Sequence, residues 1–121
     1  MYYVYILRCS DGSLYTGITS DPRRRFAEHM SGNRGAKYTR MRRPEAPVAL
    51  WEAGTHADAA RLEWQIKRLR RAQKLVLLEN LDMAARLLPP ERRETLRSVP
   101  KEELAALWPR PDEQKDEKAG C

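Results

Sequence analysis

Cysteine is scarce in this chain of 121 residues: Cys9 and Cys121 stand alone, far apart. They lack the paired spacing of zinc sites or redox motifs. No apolar stretch approaches the roughly 20 residues of a membrane span. The opening segment, residues 1–9, is apolar but short, carries Arg8 and runs straight into a turn. It lacks the basic n-region and small-residue cleavage site of a signal peptide. No internal repeat is present. A soluble, reducing setting, the cytoplasm, is the expected one.

What the chain does have is basic charge, +6 in total. Residues 1–88 hold 16 Lys/Arg against 9 Asp/Glu, a balance of +7, and residues 89–121 hold 7 against 8, a balance of −1. The positive field therefore belongs to the body and not to a disordered basic arm, and it points to an anionic partner. The length suits one compact domain. The expected division is a domain over 1–88 and a short helical extension with a disordered tail over 89–121.

Residues 2–9, rich in aromatic and β-branched types, read as a strand; Ser10-Asp11-Gly12-Ser13 as a turn; residues 14–19 as the returning strand. Asp21-Pro22 supplies a helix cap and a first-turn proline for a helix reaching about Met30. Residues 31–46 read as a long basic loop, and 47–52 as a third, short strand. Thr55 to Asp58 resembles a capping box, opening a helix with Ala59, Leu62, Ile66 and Leu69 on one stripe. A further helical stretch is expected over 73–88, with Leu75, Leu78 and Leu81 inward, ended by Pro89-Pro90. Residues 91–97 and 100–108 suggest two short helices. The fold class expected is α/β of the α+β type: a small three-stranded, mostly antiparallel sheet flanked by helices, with a helical C-terminal extension.

Tyr3-Val4-Tyr5, Tyr15-Thr16-Gly17, Arg25, His29 and the later Glu63 together resemble the signature of the GIY-YIG nuclease family. The resemblance covers roughly residues 2–80, and small single-domain, YhbQ-like bacterial members match it best. Tyr3 stands where the family name has glycine, and Thr16 where it has isoleucine. Neither exchange removes an acid, base or ligand.

The resemblance implies hydrolysis of a phosphodiester bond, which needs an activated water, a charge clamp on the phosphorane-like transition state and help for the leaving oxygen. It implies Glu63 as the one protein ligand of a divalent metal, Mg²⁺ or Mn²⁺. Spacing alone favours an ordinary i,i+4 ion pair of Glu63 with Lys67, and the motif reverses that preference. It implies Arg25 as the phosphate clamp, Tyr15 as general base, Tyr5 as its helper, and His29 as a polarising or relaying group. A tyrosine has a pKa near 10, so the base role needs positive charge close by. His56, at a helix start, is expected to be structural.

Hairpin register tests the set. A two-residue turn puts Tyr5 and Tyr15 on opposite faces. A three-residue loop, Ser10-Asp11-Gly12 with Gly12 left-handed, pairs 9 with 13 and 7 with 15 and puts them on the same face. The longer loop is the expectation.

Nucleic-acid contacts are expected from Arg24, from the loop residues Arg34, Lys37, Tyr38, Arg40, Arg42 and Arg43, and from Arg68 and Arg71, with Arg61 and Arg70 adding charge. The partner expected is DNA, single-stranded or branched, cut by a monomer. The alternative is a non-catalytic nucleic-acid-binding adaptor. A protein-interaction module using Leu104, Leu107 and Trp108 is a third, weaker reading.

Overall fold

Tyr2–Cys9 (β1) runs antiparallel to Leu14–Thr19 (β2), and the register sets their geometry: Leu7 faces Tyr15 and Tyr5 faces Gly17. These facts come from a computed structural model that describes residues 1–31 and 43–110. Cys9 N–H donates to Ser13 O at 2.9 Å, and Gly12 alone among the described residues takes a positive φ, +83°. The expected three-residue loop is borne out, and Tyr5 and Tyr15 share a face.

The sheet has four strands, in the order β2-β1-β3-β4, rather than the expected three. Pro44–Ala53 forms β3, antiparallel to β1, and the two-residue β4, Arg97–Ser98, pairs with β3. The register between β1 and β3 shifts at Ile6/Leu7, opposite Pro47 and Ala49. Proline cannot donate to a ladder, so a strand carrying Pro44 and Pro47 needs such an irregularity, and it begins earlier than the sequence suggested. The fourth strand was missed because two residues give no period to read; pairing with β3 and the Val99 N–H to Leu50 O bond at 2.9 Å hold it in place.

Apolar side chains alternate across central β1. Val4 and Ile6 face a core shared with Ala49, Trp51 and the stripe Ala59, Leu62 and Ile66 of helix α2, His56–Arg68. Thr55 caps α2 by accepting from Asp58 N–H at 3.1 Å. Tyr5 and Leu7 face the other layer, with Phe26 of helix α1, Pro22–Ser31. Asp21 caps α1 through Arg24 N–H at 3.2 Å.

Past α2 the chain forms α3, Arg71–Glu79, then a 3₁₀ segment, Leu81–Leu87, instead of one continuous helix. Leu77 is the buried residue of α3, whereas Leu75, expected inward, is 43% exposed. The run Leu75-Val76-Leu77-Leu78 has no apolar phase of its own, so docking decides it.

Residues 89–110 lie on the sheet. A second 3₁₀ segment, Pro90–Thr95, leads to β4 and to α4, Lys101–Leu107. Val99 and Leu104 are buried beside Tyr5, Leu7 and Phe26, with Leu107 and Trp108 packed against them. Of the three side chains read as a protein-interaction module, Leu104 is buried and Leu107 and Trp108 are partly buried, all against the chain's own core.

Candidate active site

Gly17 is where the site begins. A Cβ at this position would lie 2.5 Å from Tyr5 Cζ and 3.1 Å from Tyr15 Cε1. Glycine in this strand lets the Tyr5 ring lie across β2, the outermost strand on that side of the sheet. A glycine inside a strand pattern is itself a sign of close approach. Sequence reasoning passed it over as a motif letter only.

Helix α1 covers the same face. Phe26 meets the Tyr5 ring edge-on with centroids 5.4 Å apart, and His29, one turn on, lies 5.7 Å from Tyr5 and 5.3 Å from Tyr15. The two tyrosine rings are 6.2 Å apart. The Tyr5 hydroxyl is 2.8 Å from His29 Nε2, and both residues are buried. Arg25, 24% exposed, pairs with Glu28 at 3.2 Å and hydrogen-bonds the Tyr5 hydroxyl.

Electrostatics give these groups different states. Burial pushes the Tyr5 phenol above its ordinary pKa, the bond from Arg25 opposes the rise, and the charges of Tyr15 and Glu63 add to it. Burial, followed by the Arg25 charge, holds the His29 imidazole down at about 4. Burial opposes charge on Arg25, but its hydrogen bonds to Tyr5 and Glu28 prevail, and its pKa is raised. At neutral pH the phenol is therefore protonated and the imidazole neutral. The Tyr5 hydroxyl and the neutral imidazole share one hydrogen bond at Nε2, and the His29 tautomer sets which of them donates.

Glu63 arrives from α2, which packs against β1 and β2. Its side chain is 21% exposed and pairs with Lys67 at 3.4 Å, while its charge reaches the Tyr5 phenol. Among the described residues no three His, Cys, Asp or Glu side chains gather as a metal cluster. A lone carboxylate is a hard oxygen donor. It suits an ion that keeps most of its waters and takes further oxygens from a phosphate, as Mg²⁺ does.

The matching family model is the GIY-YIG catalytic domain, over residues 1–75. The chain belongs to the GIY-YIG family. Tyr5, Tyr15, Arg25, His29 and Glu63 all fall inside the matched span of this family member. It is 49% identical over 73 residues to a UPF0213 protein of Cupriavidus necator, covering 60% of this chain and 78% of that one. A UPF0213 protein of Halobacterium salinarum is 48% identical over 77 residues, 64% of this chain and 99% of the relative. The solution NMR structure of a UPF0213 protein from Bacillus halodurans aligns with a TM-score of 0.43 at 44% identity, covering 78% and 95% of the two chains.

Of the basic residues expected to contact nucleic acid, Arg24 is 68% exposed and pairs with Glu28 at 3.6 Å, and Arg43 and Arg68 are exposed. Arg71 donates to Gly12 O at 2.9 Å and so braces the hairpin turn. Arg34, Lys37, Tyr38, Arg40 and Arg42 lie outside the described residues. His56 stacks edge-on with Tyr2 at 4.9 Å, a packing role. No helix among the described residues is long and apolar enough to cross a membrane.

Proposed function

We propose that this GIY-YIG protein is a metal-dependent endonuclease that hydrolyses DNA phosphodiester bonds. It works as a cytoplasmic monomer on single-stranded or branched DNA, with repair as its setting. The carrying observation is the contact cluster of Tyr5, Tyr15, Arg25 and His29 at the β2 edge, with the Glu63 charge reaching it. Residues 1–88 make up the nuclease unit, and the part that follows is its extension.

Each residue has one task. Arg25 holds the scissile phosphate, its planar guanidinium matched to two phosphate oxygens as negative charge builds. Tyr15, half-buried where Tyr5 is fully buried, meets the attacking water and takes its proton, with Arg25 as the positive neighbour that role requires. Tyr5 is a positioning residue: its hydroxyl links Arg25 to His29 and holds both in register. His29, neutral, keeps that hydroxyl oriented. Glu63 would hold Mg²⁺ or Mn²⁺, which supplies positive charge to the phosphate and leaving oxygens when bound. Arg24, Arg43 and Arg68, with the basic loop Arg34, Lys37, Tyr38, Arg40 and Arg42, grip the strand to either side.

Labelled single-stranded, flap, nicked and duplex DNA, incubated with the full chain and Mg²⁺ or Mn²⁺, tests the reading. Cleavage is expected, abolished by a chelator and lowered at least about a hundredfold by Glu63→Gln, the scale of removing one transition-state contact. Equal cleavage by both proteins removes Glu63 from the site. Salt-dependent binding without cleavage under any divalent ion makes the protein an adaptor instead.

A further inference from the structure

The three tryptophans have unequal fates. Trp51 is fully buried and its indole N–H donates to Leu81 O at 2.8 Å. Trp108 packs on Phe26 with centroids 5.5 Å apart. Trp64 is 56% exposed, the one aromatic among the large exposed apolar side chains of the described residues. A single exposed apolar side chain is ordinary on a protein surface, so the indole carries meaning only through the groups set around it.

Its surroundings say which partner. Trp64 follows Glu63 directly on α2. Ala60, Trp64 and Arg68 form one i,i+4 row, and Glu63 and Lys67 form the adjacent row. The Arg68 guanidinium lies over the indole, 4.4 Å from the ring centroid. Ala60, Arg61, Trp64 and Gln65 line a shallow, open groove along the surface of α2. An aromatic face beside a groove, flanked by the cations of Arg61, Arg68 and Lys67, matches the chemistry of a nucleotide. The base stacks flat on the ring and its phosphate pairs with a cation. A base inside a duplex has both faces covered already, whereas an unpaired base offers its own.

We infer that Trp64, with Arg68 and the Ala60–Arg61 groove, is a stacking subsite for one unpaired DNA base of a strand crossing α2 beside Glu63. The inference rests on the nuclease reading and deepens it. It makes the substrate a single-stranded segment and names the residue that selects it.

Fluorescence anisotropy with a short labelled oligothymidylate and a duplex of the same length is the test, in full-length Glu63→Gln protein so that nothing is cut. Adding Trp64→Ala is expected to weaken oligothymidylate binding about tenfold, the low end of one base–aromatic stack. Trp64→Phe, which keeps a ring, should restore most of it, and duplex binding should change less than twofold. Melting temperature should stay within a few degrees, because the side chain is exposed. Tryptophan emission should be quenched by oligothymidylate, with the quench lost in Trp64→Phe. Unchanged single-strand affinity, or equal losses for both DNAs, overturns the subsite. So does a change in self-association without a change in affinity, which makes the indole a protein contact. The nuclease reading fails separately: it falls if Glu63→Gln cleaves like the native chain, whatever Trp64 does.

Discussion

Tyr5 and Gly17 face each other across the β1–β2 ladder, and the space a side chain at Gly17 would need is filled by the Tyr5 ring. Tyr5 is 1% exposed, so its ring has nowhere to retreat. Gly17→Ala should cost about 1–3 kcal/mol, as overpacking of a close-fitted core does. Because the displaced group holds Arg25 and His29, cleavage should fall at least tenfold, well beyond the loss of folded protein at 25 °C. Thermal melts read alongside turnover check both parts. A native turnover in Gly17→Ala would mean that the phenol can shift without harm.

The Tyr5–His29 bond has a pH signature. Folding lowers the His29 pKa to about 4, from an unfolded value near 6.5. Between those values the unfolded chain binds a proton that the folded chain refuses, so stability rises with pH across the window and falls on acidification through it. The loss amounts to roughly 3 kcal/mol by pH 4. Asp58, held below the usual carboxylate range chiefly by Arg92, acts lower: its contribution is present above about pH 4 and lost as pH falls further. Urea titrations from pH 7 to 4 should therefore show a slope that His29→Gln flattens. An unchanged slope would assign the acid loss elsewhere.

Such features differ in how far a sequence can show them. Hairpin register was legible because one glycine, Gly12, fixes the loop, and the loop fixes every pairing after it. Helix α1 was legible from Asp21-Pro22, a purely local signal. By contrast, β4 exists only through bonds to β3, some 45 residues away at the Arg97–Glu52 pair, and nothing in Arg-Ser announces it. The candidate residues Tyr5, Tyr15, Arg25 and His29 could be grouped by their motif spacing, and the structure brings them together. Their protonation states were not legible, because these follow from burial and from Arg25 standing beside both Tyr5 and His29.

Thr16 gives a prediction of opposite sign. It pairs with Ile6 and is 3% exposed; its hydroxyl is buried with no hydrogen-bond partner among the described residues. A buried orphan hydroxyl costs roughly 1–3 kcal/mol. Thr16→Val keeps the shape and removes that polar atom, so it should stabilise the fold by about 1 kcal/mol and leave cleavage intact. Equilibrium unfolding measures it. A destabilisation of similar size would reveal a water or side chain that the hydroxyl serves.

The C-terminal extension carries the last prediction. The Halobacterium relative spends 99% of its length on 77 aligned residues, which leaves no room there for a matching segment. Here the apolar layer behind Tyr5 is completed by it. Trp108 packs at a tilt on Phe26 at 5.5 Å, Phe26 meets Tyr5 at 5.4 Å, and Val99 and Leu104 are buried beside them. Arg92 fastens the segment to Asp58 of α2 at 3.0 Å, and β4 covers the edge of β3. Each buried aliphatic side chain stabilises by about 1.5–3 kcal/mol. Truncation after Leu88 should therefore lower the melting temperature by more than about 10 °C and expose an aggregation-prone strand edge. Trp108→Ala should act more gently, loosening Phe26 against Tyr5 and lowering turnover more than DNA affinity. A truncated chain with native melting and turnover would make the segment a passenger. Loss of turnover in Trp108→Ala with little loss of stability would tie it to the alignment of the site.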